Sequence, residues 1–273
     1  MFTTNNFEDL LSMFPPDDEA TLQEQGLTQA IGQEPESDEL RLIYADWLDD
    51  HNQPERAAFI RAQIELALLP EVDPRYPELK HRCQSLLDKY REEWSEPFKP
   101  WKARPTFERG LASSLSVHVR DLVRRTDEVM KLAPIQKLSL QGVKSYLSPL
   151  IKRVPQISAI TSLDLSDNHL NASRFAKLFE PWKGRRLKHL TLGRYTYDYR
   201  MENWVHTLRD LKLTSFSLSN ASHYYGVVEA LASNGVFQTA QHLDLSGTWI
   251  NAELLHLGRQ APALQSLDLS HTR

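Results

Sequence analysis

Residues 160–170 read ITSLDLSDNHL, with apolar side chains at Ile160, Leu163, Leu165 and Leu170 and an amide at Asn168. In an extended segment alternate side chains take opposite faces, so Leu163 and Leu165 point one way and Asp164 the other. Apolar pairs two apart recur as Leu138/Leu140, Leu163/Leu165, Leu190/Leu192, Phe216/Leu218, Leu243/Leu245 and Leu267/Leu269, their first members 25, 27, 26, 27 and 24 residues apart. Three residues before the pairs stand Ile135, Ile160, Leu187, Leu213, Ala240 and Leu264. Leu115 and Val117, 23 residues before Leu138, read as a degenerate first unit. Asn168 is replaced at the equivalent place by Thr248 and Thr272, and Tyr195 departs from it.

A repeat of this length has a simple physical reading. Parallel strands need a crossover between them, and roughly 20 residues suffice for a turn and a helix. Helical spacing does occur between the pairs, as in Phe175, Leu178, Phe179 and Trp182, and again in Trp204, Val205, Leu208 and Leu211. Each unit can bury its apolar side only against its neighbours. The expected architecture for residues 101–273 is therefore an α/β solenoid of six clear units and a degenerate one, with strands on the concave face and helices on the convex face.

Upstream the apolar period is helical. Leu40, Ile43, Tyr44, Trp47 and Leu48 form one stripe, with Ser37 or Asp38 available as N-cap. Pro54 suits the first turn of a second helix that Pro70 stops, and a third after Pro77 carries Leu79, Cys83, Leu86, Leu87, Tyr90 and Trp94 on one side. Residues 96–105, EPFKPWKARP, hold three prolines and mark the expected boundary. The resulting plan is an irregular acidic lead-in over 1–20, an all-α domain over 21–100 and the repeats over 101–273.

The repeat pattern resembles that of leucine-rich-repeat proteins. Residues 27–68, with Tyr44-Ala45-Asp46-Trp47-Leu48 and Phe59-Ile60-Arg61, are similar to the small repeat-companion domain of bacterial leucine-rich-repeat proteins, and Arg109-Gly110-Leu111 resembles the usual junction into the first repeat strand. These resemblances imply a solenoid behind a helical domain and a bacterial origin. The companion family brings no biochemical activity to transfer.

Composition narrows the function classes. Hydrophobic residues make up 41% of 273 and charged residues 25%, the ordinary range for a soluble domain, and the mean hydropathy of -0.48 excludes several membrane spans. The N-terminus lacks a basic region followed by an apolar core, so the expected home is the cytoplasm. Phosphate-binding loops, dinucleotide fingerprints, zinc-protease helices, serine-hydrolase elbows and paired C-x-x-C motifs are absent, so no cofactor, metal or catalytic residue is expected. Cys83, the single cysteine, is a nucleophile only by analogy with leucine-rich-repeat ubiquitin ligases, and its place on the apolar stripe predicts a buried thiol. Asp46 is expected to cap a neighbouring helix or pair with Arg41 or Arg61, and Trp47 to anchor the core.

Three sets of candidate binding residues follow from stacking the units. The concave strand face carries Ser139, Asp164, Thr191, Ser217, Asp244 and Asp268, with His189 and His242 just before two of the pairs. Beyond the strands, His169, Tyr195, Tyr197, Tyr199, Arg200, His223, Tyr224, Tyr225 and Trp249 fall on one rim, and aromatic residues and arginine are enriched at binding hot spots. Lys183, Arg185, Arg186, Lys188 and Arg194 form a basic patch.

The leading expectation is a non-enzymatic protein–protein interaction module, a scaffold or adaptor that binds a protein or peptide through the concave face and rim. Self-association through the open edge after Leu267/Leu269 is a further expectation. Nucleic-acid or polyanion binding by the basic patch is the alternative, and a hydrolase built on paired Asp244 and Asp268 is the third. The net charge of -4 divides unevenly: residues 1–100 hold 9 Lys+Arg against 22 Asp+Glu, leaving 23 against 14 for the rest. An acidic helical domain is thus expected to dock on the basic repeats or mask them from acidic partners.

Overall fold

The computed structural model describes residues 19–166, 168, 170, 172–192, 202–219, 227–248 and 257–272. It is an α/β chain in two compact units. One runs through Glu92 and takes in Glu108–Leu111; the other comprises Glu93–Phe107 and the chain from Ala112 onward.

The first unit is helical: α1 (Glu19–Gln33), α2 (Asp38–Asp50), α3 (Pro54–Leu68) and most of α4 (Tyr76–Ser95). Local chemistry sets the starts. Ser37 Oγ accepts from Leu40 N at 3.3 Å, capping α2, while Asp38 and Glu39 place negative charge against its positive end. Pro54 occupies the first turn of α3, where its missing N–H costs nothing. Ile31, Tyr44, Ala45, Leu48, Ala57, Ile60, Ile64 and Leu111 form the core, flanked by Leu27, Leu40 and Trp47.

The stripe expected on α2 is rotated. Ile43 is 47% exposed, and the buried positions are Arg41, Tyr44, Ala45 and Leu48. These lie at i, i+3, i+4 and i+7, one face of the helix, and α2 packs that side against both α1 and α3. Arg41 enters this face by folding its guanidinium back to the Ser37 carbonyl, Nη1 to O 2.9 Å.

In the second unit the proline-rich stretch forms a 3-10 helix, Glu96–Trp101, with Phe98 and Trp101 buried. Trp94 meets Phe107 edge-on, ring centres 6.2 Å apart. Strands follow: β1 (Arg104–Glu108), β2 (Leu111–His118), β3 (Lys137–Gln141), β4 (Ser162–Asp164), β5 (His189–Thr191), β6 (Ser215–Ser217), β7 (His242–Asp244) and β8 (Ser266–Asp268). They make one eight-stranded sheet in sequence order. The two-residue connection from β1 to β2 makes that pair antiparallel, and β2 to β8 are all parallel.

Each crossover contains helix: α5 (Val119–Leu122) and α6 (Thr126–Lys131), then α7 (Val143–Arg153), α8 (Ala172–Phe179), α9 (Glu202–Leu211), α10 (Val227–Ser233) and α11 (Leu257–Gln260). The register aligns Leu115, Leu138, Leu163, Leu190, Phe216, Leu243 and Leu267, so the spacings in the sequence are the strand-to-strand steps. All but the last are buried; Leu267 on β8 is 38% exposed and Leu269, just past it, 39%. A shared carbonyl starts most pairings. Gln136 O accepts from Thr161 N and Ser162 N, and the same fork recurs at Thr161, Lys188, Thr214 and Gln241, with N···O of 2.7–3.1 Å. Among the described residues no helix is long and apolar enough to cross a membrane.

Asn168 joins two units directly. Its buried amide Nδ2 donates to Leu140 O at 2.6 Å, Leu165 O at 3.0 Å and Ser166 O at 3.2 Å, and Oδ1 accepts from Val143 N at 2.9 Å. Thr248 and Thr272 each donate to the carbonyl three residues back, of Leu245 and Leu269. A threonine hydroxyl has one donor and a shorter stem, and each of these closes its own turn. Asn168→Ala leaves the Val143 N–H and Leu140 carbonyl without that partner and should cost about 2–3 kcal/mol, against roughly 1 kcal/mol for Thr248→Ala. Guanidinium denaturation of the two variants, followed through the transition of the strand-bearing unit, measures both.

Candidate functional site

Parallel pairing turns single residues into rows. One row on the open strand face is Ser139, Asp164, Thr191, Ser217, Asp244 and Asp268; the row two residues earlier is Lys137, Ser162, His189, Ser215, His242 and Ser266. Neighbours within a row sit about 4.8 Å apart along the backbone. Sequence patterning singles out the two histidines of the second row, His189 and His242. Lys137, Ser162, Ser215 and Ser266 complete the row from the same place before each apolar pair, a position whose mixed chemistry carries no motif.

The aspartates serve the turns as well as the surface. Asp164 Oδ1 accepts from Ser166 N at 2.8 Å and Ser166 Oγ at 2.5 Å, Asp244 Oδ1 from Ser246 N at 3.0 Å, and Asp268 Oδ1 from Ser270 N at 2.8 Å. Each carboxylate thereby satisfies the backbone where the chain leaves the strand, which gives the recurring Leu-Asp-Leu-Ser a physical reason. Across strands, Ser139 Oγ donates to Asp164 Oδ2 at 3.1 Å and Ser217 Oγ to Asp244 Oδ2 at 2.8 Å.

Asp244 and Asp268 are indeed opposite one another on adjacent strands. Hydrogen bonds from Ser270 hold the Asp268 carboxyl below the usual carboxylate range. A shared-proton pair needs one carboxyl pushed upward, so this one offers fixed negative charge in place of a general acid. His189 and His242 are two strands apart, about 10 Å by backbone spacing. Among the described residues, no group of three or more His, Cys, Asp or Glu is placed to hold a metal ion.

The basic residues do not form one uniform patch. Lys183 lies 3.0 Å from Glu180 and 3.2 Å from Asp210, and both carboxylates push its pKa up. Arg185 Nε donates to the Pro181 carbonyl at 2.8 Å, while Arg186 and Lys188 are exposed. Arg194 and the rim residues His169, Tyr195, Tyr197, Tyr199, Arg200, His223, Tyr224, Tyr225 and Trp249 lie outside the described residues.

In the helical unit, Asp46 is exposed and pairs with Arg61 at 2.6 Å; Arg61 also holds Asp49 at 2.7 Å. Trp47 is partly buried, stacked on His51 at 3.9 Å between ring centres. Cys83 is buried, and desolvation pushes its thiol pKa up, which keeps it protonated and a poor nucleophile. Compared with models of known protein families and with curated proteins, the sequence matches none.

The second row contains a titrating group with a clear sign. Desolvation lowers the His189 pKa first, and the charges of Lys137, His242 and Lys188 lower it further. A histidine harder to protonate in the folded state contributes nothing above about pH 6.5, where it is neutral in both states. Below that the unfolded chain binds the proton first, so stability falls with pH until the folded pKa is passed. His189→Gln should therefore flatten the decline in denaturation midpoint between pH 7 and pH 5; an unchanged slope would show that the histidine is equally solvated in both states.

Proposed function

We propose that residues 101–273 form a leucine-rich-repeat solenoid and that its open strand face binds a protein or peptide partner without catalysis. The observation that carries this reading is the pair of parallel rows. Lys137, His189 and His242 stand in one, and Asp164, Asp244 and Asp268 in the other, on strands whose register repeats from β3 to β8.

Backbone pairing fixes where each of these side chains leaves the sheet, so a partner meets a preset spacing and no backbone ordering is needed on binding. A cationic and imidazole row lying beside a carboxylate row, one pleat period of about 7 Å away, suits a partner of mixed charge and fixes its direction across the strands. The same rows speak for recognition over hydrolysis, since the carboxylates are engaged in turns and Asp268 is held ionised. In this reading the helical unit is a repeat-companion domain. Polyanion binding is the weaker alternative, because Lys183 is neutralised by two carboxylates and Arg185 is turned to a backbone carbonyl.

Thr191 sits in the middle of the carboxylate row, part-buried on a central strand. Thr191→Arg in the full chain should reduce capture of a specific cellular partner at least tenfold, about 1.4 kcal/mol, with unchanged circular dichroism. Quantitative affinity purification with both proteins reads the ratio. Equal recovery would remove the strand face from binding. Salt-sensitive oligonucleotide binding lost in Arg185→Glu/Arg186→Glu would support the polyanion reading instead.

A further inference from the structure

The turn between β1 and β2 is two residues long, Arg109 and Gly110, with φ of +48° and +83°. Two-residue hairpin turns with positive φ at both positions favour Asn-Gly or Asp-Gly. Glycine at the second place follows from the turn alone. Arginine at the first does not: a left-handed conformation there costs roughly 1–2 kcal/mol for a side chain without a local hydrogen bond. Something other than the turn is served by Arg109.

The helices supply it. Arg109 Nη1 lies 3.3 Å from the Glu36 carbonyl, 3.3 Å from Glu36 Oε2 and 3.4 Å from Asp38 Oδ1, at the acidic start of α2. Gly110 N donates to Gln63 Oε1 of α3 at 2.7 Å. A Cβ on Gly110 would stand 2.2 Å from Ile60 Cγ1 and 2.5 Å from Ile60 Cα, so the helix backbone itself excludes any side chain. Leu111 follows at 2% exposure, inside the core with Ile31, Tyr44 and Leu48. Three consecutive residues are thus tested by three different means: charge at the first, absence of a side chain together with a backbone donor at the second, and apolar volume at the third.

We propose that the surface made by Glu36, Asp38, Ile60 and Gln63 is a binding site specific for an Arg-Gly-apolar hairpin turn. This chain fills it with its own turn, and it accepts the same turn from a second copy. The occupant is chosen by the contacts. A turn lacking arginine leaves Glu36 and Asp38 without that cation, and one with any residue but glycine collides with α3. The chain's own turn competes as an intramolecular ligand at high effective concentration, so a free site exists only where that turn has been displaced.

The test uses full-length protein and a head-to-tail cyclised, fluorescently labelled peptide of residues 104–115. Gly110→Val displaces the internal turn, and fluorescence anisotropy should show this variant binding the peptide at least tenfold more tightly than the unaltered chain does. A peptide carrying the same Gly→Val change should not bind. If Gly110→Val fails to fold, Arg109→Glu, at a partly exposed position, loosens the turn by charge alone and is judged by the same outcomes. A folded variant that binds no better than the parent chain, or a peptide that binds equally well without its glycine, overturns the proposal.

Discussion

Among the described residues, five of the eight strands are three residues long, and no three-residue strand is stable alone. What holds them is register. Each strand can hydrogen-bond on both edges only if every crossover returns the next Leu-x-Leu to the same height, and from Leu115 to Leu267 the chain does so. The forked carbonyls at Gln136, Thr161, Lys188, Thr214 and Gln241 fix the height at each strand entry, and the aspartates at 164, 244 and 268 fix the exit. Slipping one strand by a single residue would turn its leucines outward and its aspartate inward. The polar rows on the open face are the other side of the same constraint: whatever register the leucines demand, the residues between them inherit.

This explains why the strands were legible in the sequence while other features were not. Leu138, Leu163, Leu190, Phe216, Leu243 and Leu267 announce themselves by repetition, because each step solves one geometric problem again. Asp46 found Arg61, as a charge one helix away can. Ile43 matches the helical stripe by spacing yet is exposed, because where α1 and α3 approach α2 decides which face is buried. A single helix carries no record of its neighbours' directions.

The carboxylates illustrate a second limit. From sequence, Asp244 and Asp268 read first as solvated strand surface, with a catalytic pair as the remote alternative. Their partners decide the chemistry, and those partners are the Ser246 and Ser270 amides two residues on and the Ser217 hydroxyl one strand away. Hydrogen bonds from Ser270 lower the Asp268 pKa, whereas desolvation of a carboxyl would raise it. Adjacency alone therefore carries little information about proton transfer; the direction of the hydrogen bonds carries most of it.

Arg109-Gly110-Leu111 shows the same principle from the other side. A hairpin requires the glycine for its own φ, and this local need would hide any further role at that position. The arginine beside it has no such excuse. It carries conformational strain that Asn would not, and Glu36 and Asp38, some seventy residues earlier in the chain, supply its compensating contacts. Where a residue is locally unfavourable and its side chain meets complementary charge far away in sequence, the distant contact offsets part of the local cost. By that reasoning the turn belongs energetically with the helices that surround it, although the strands that carry it follow them in the chain.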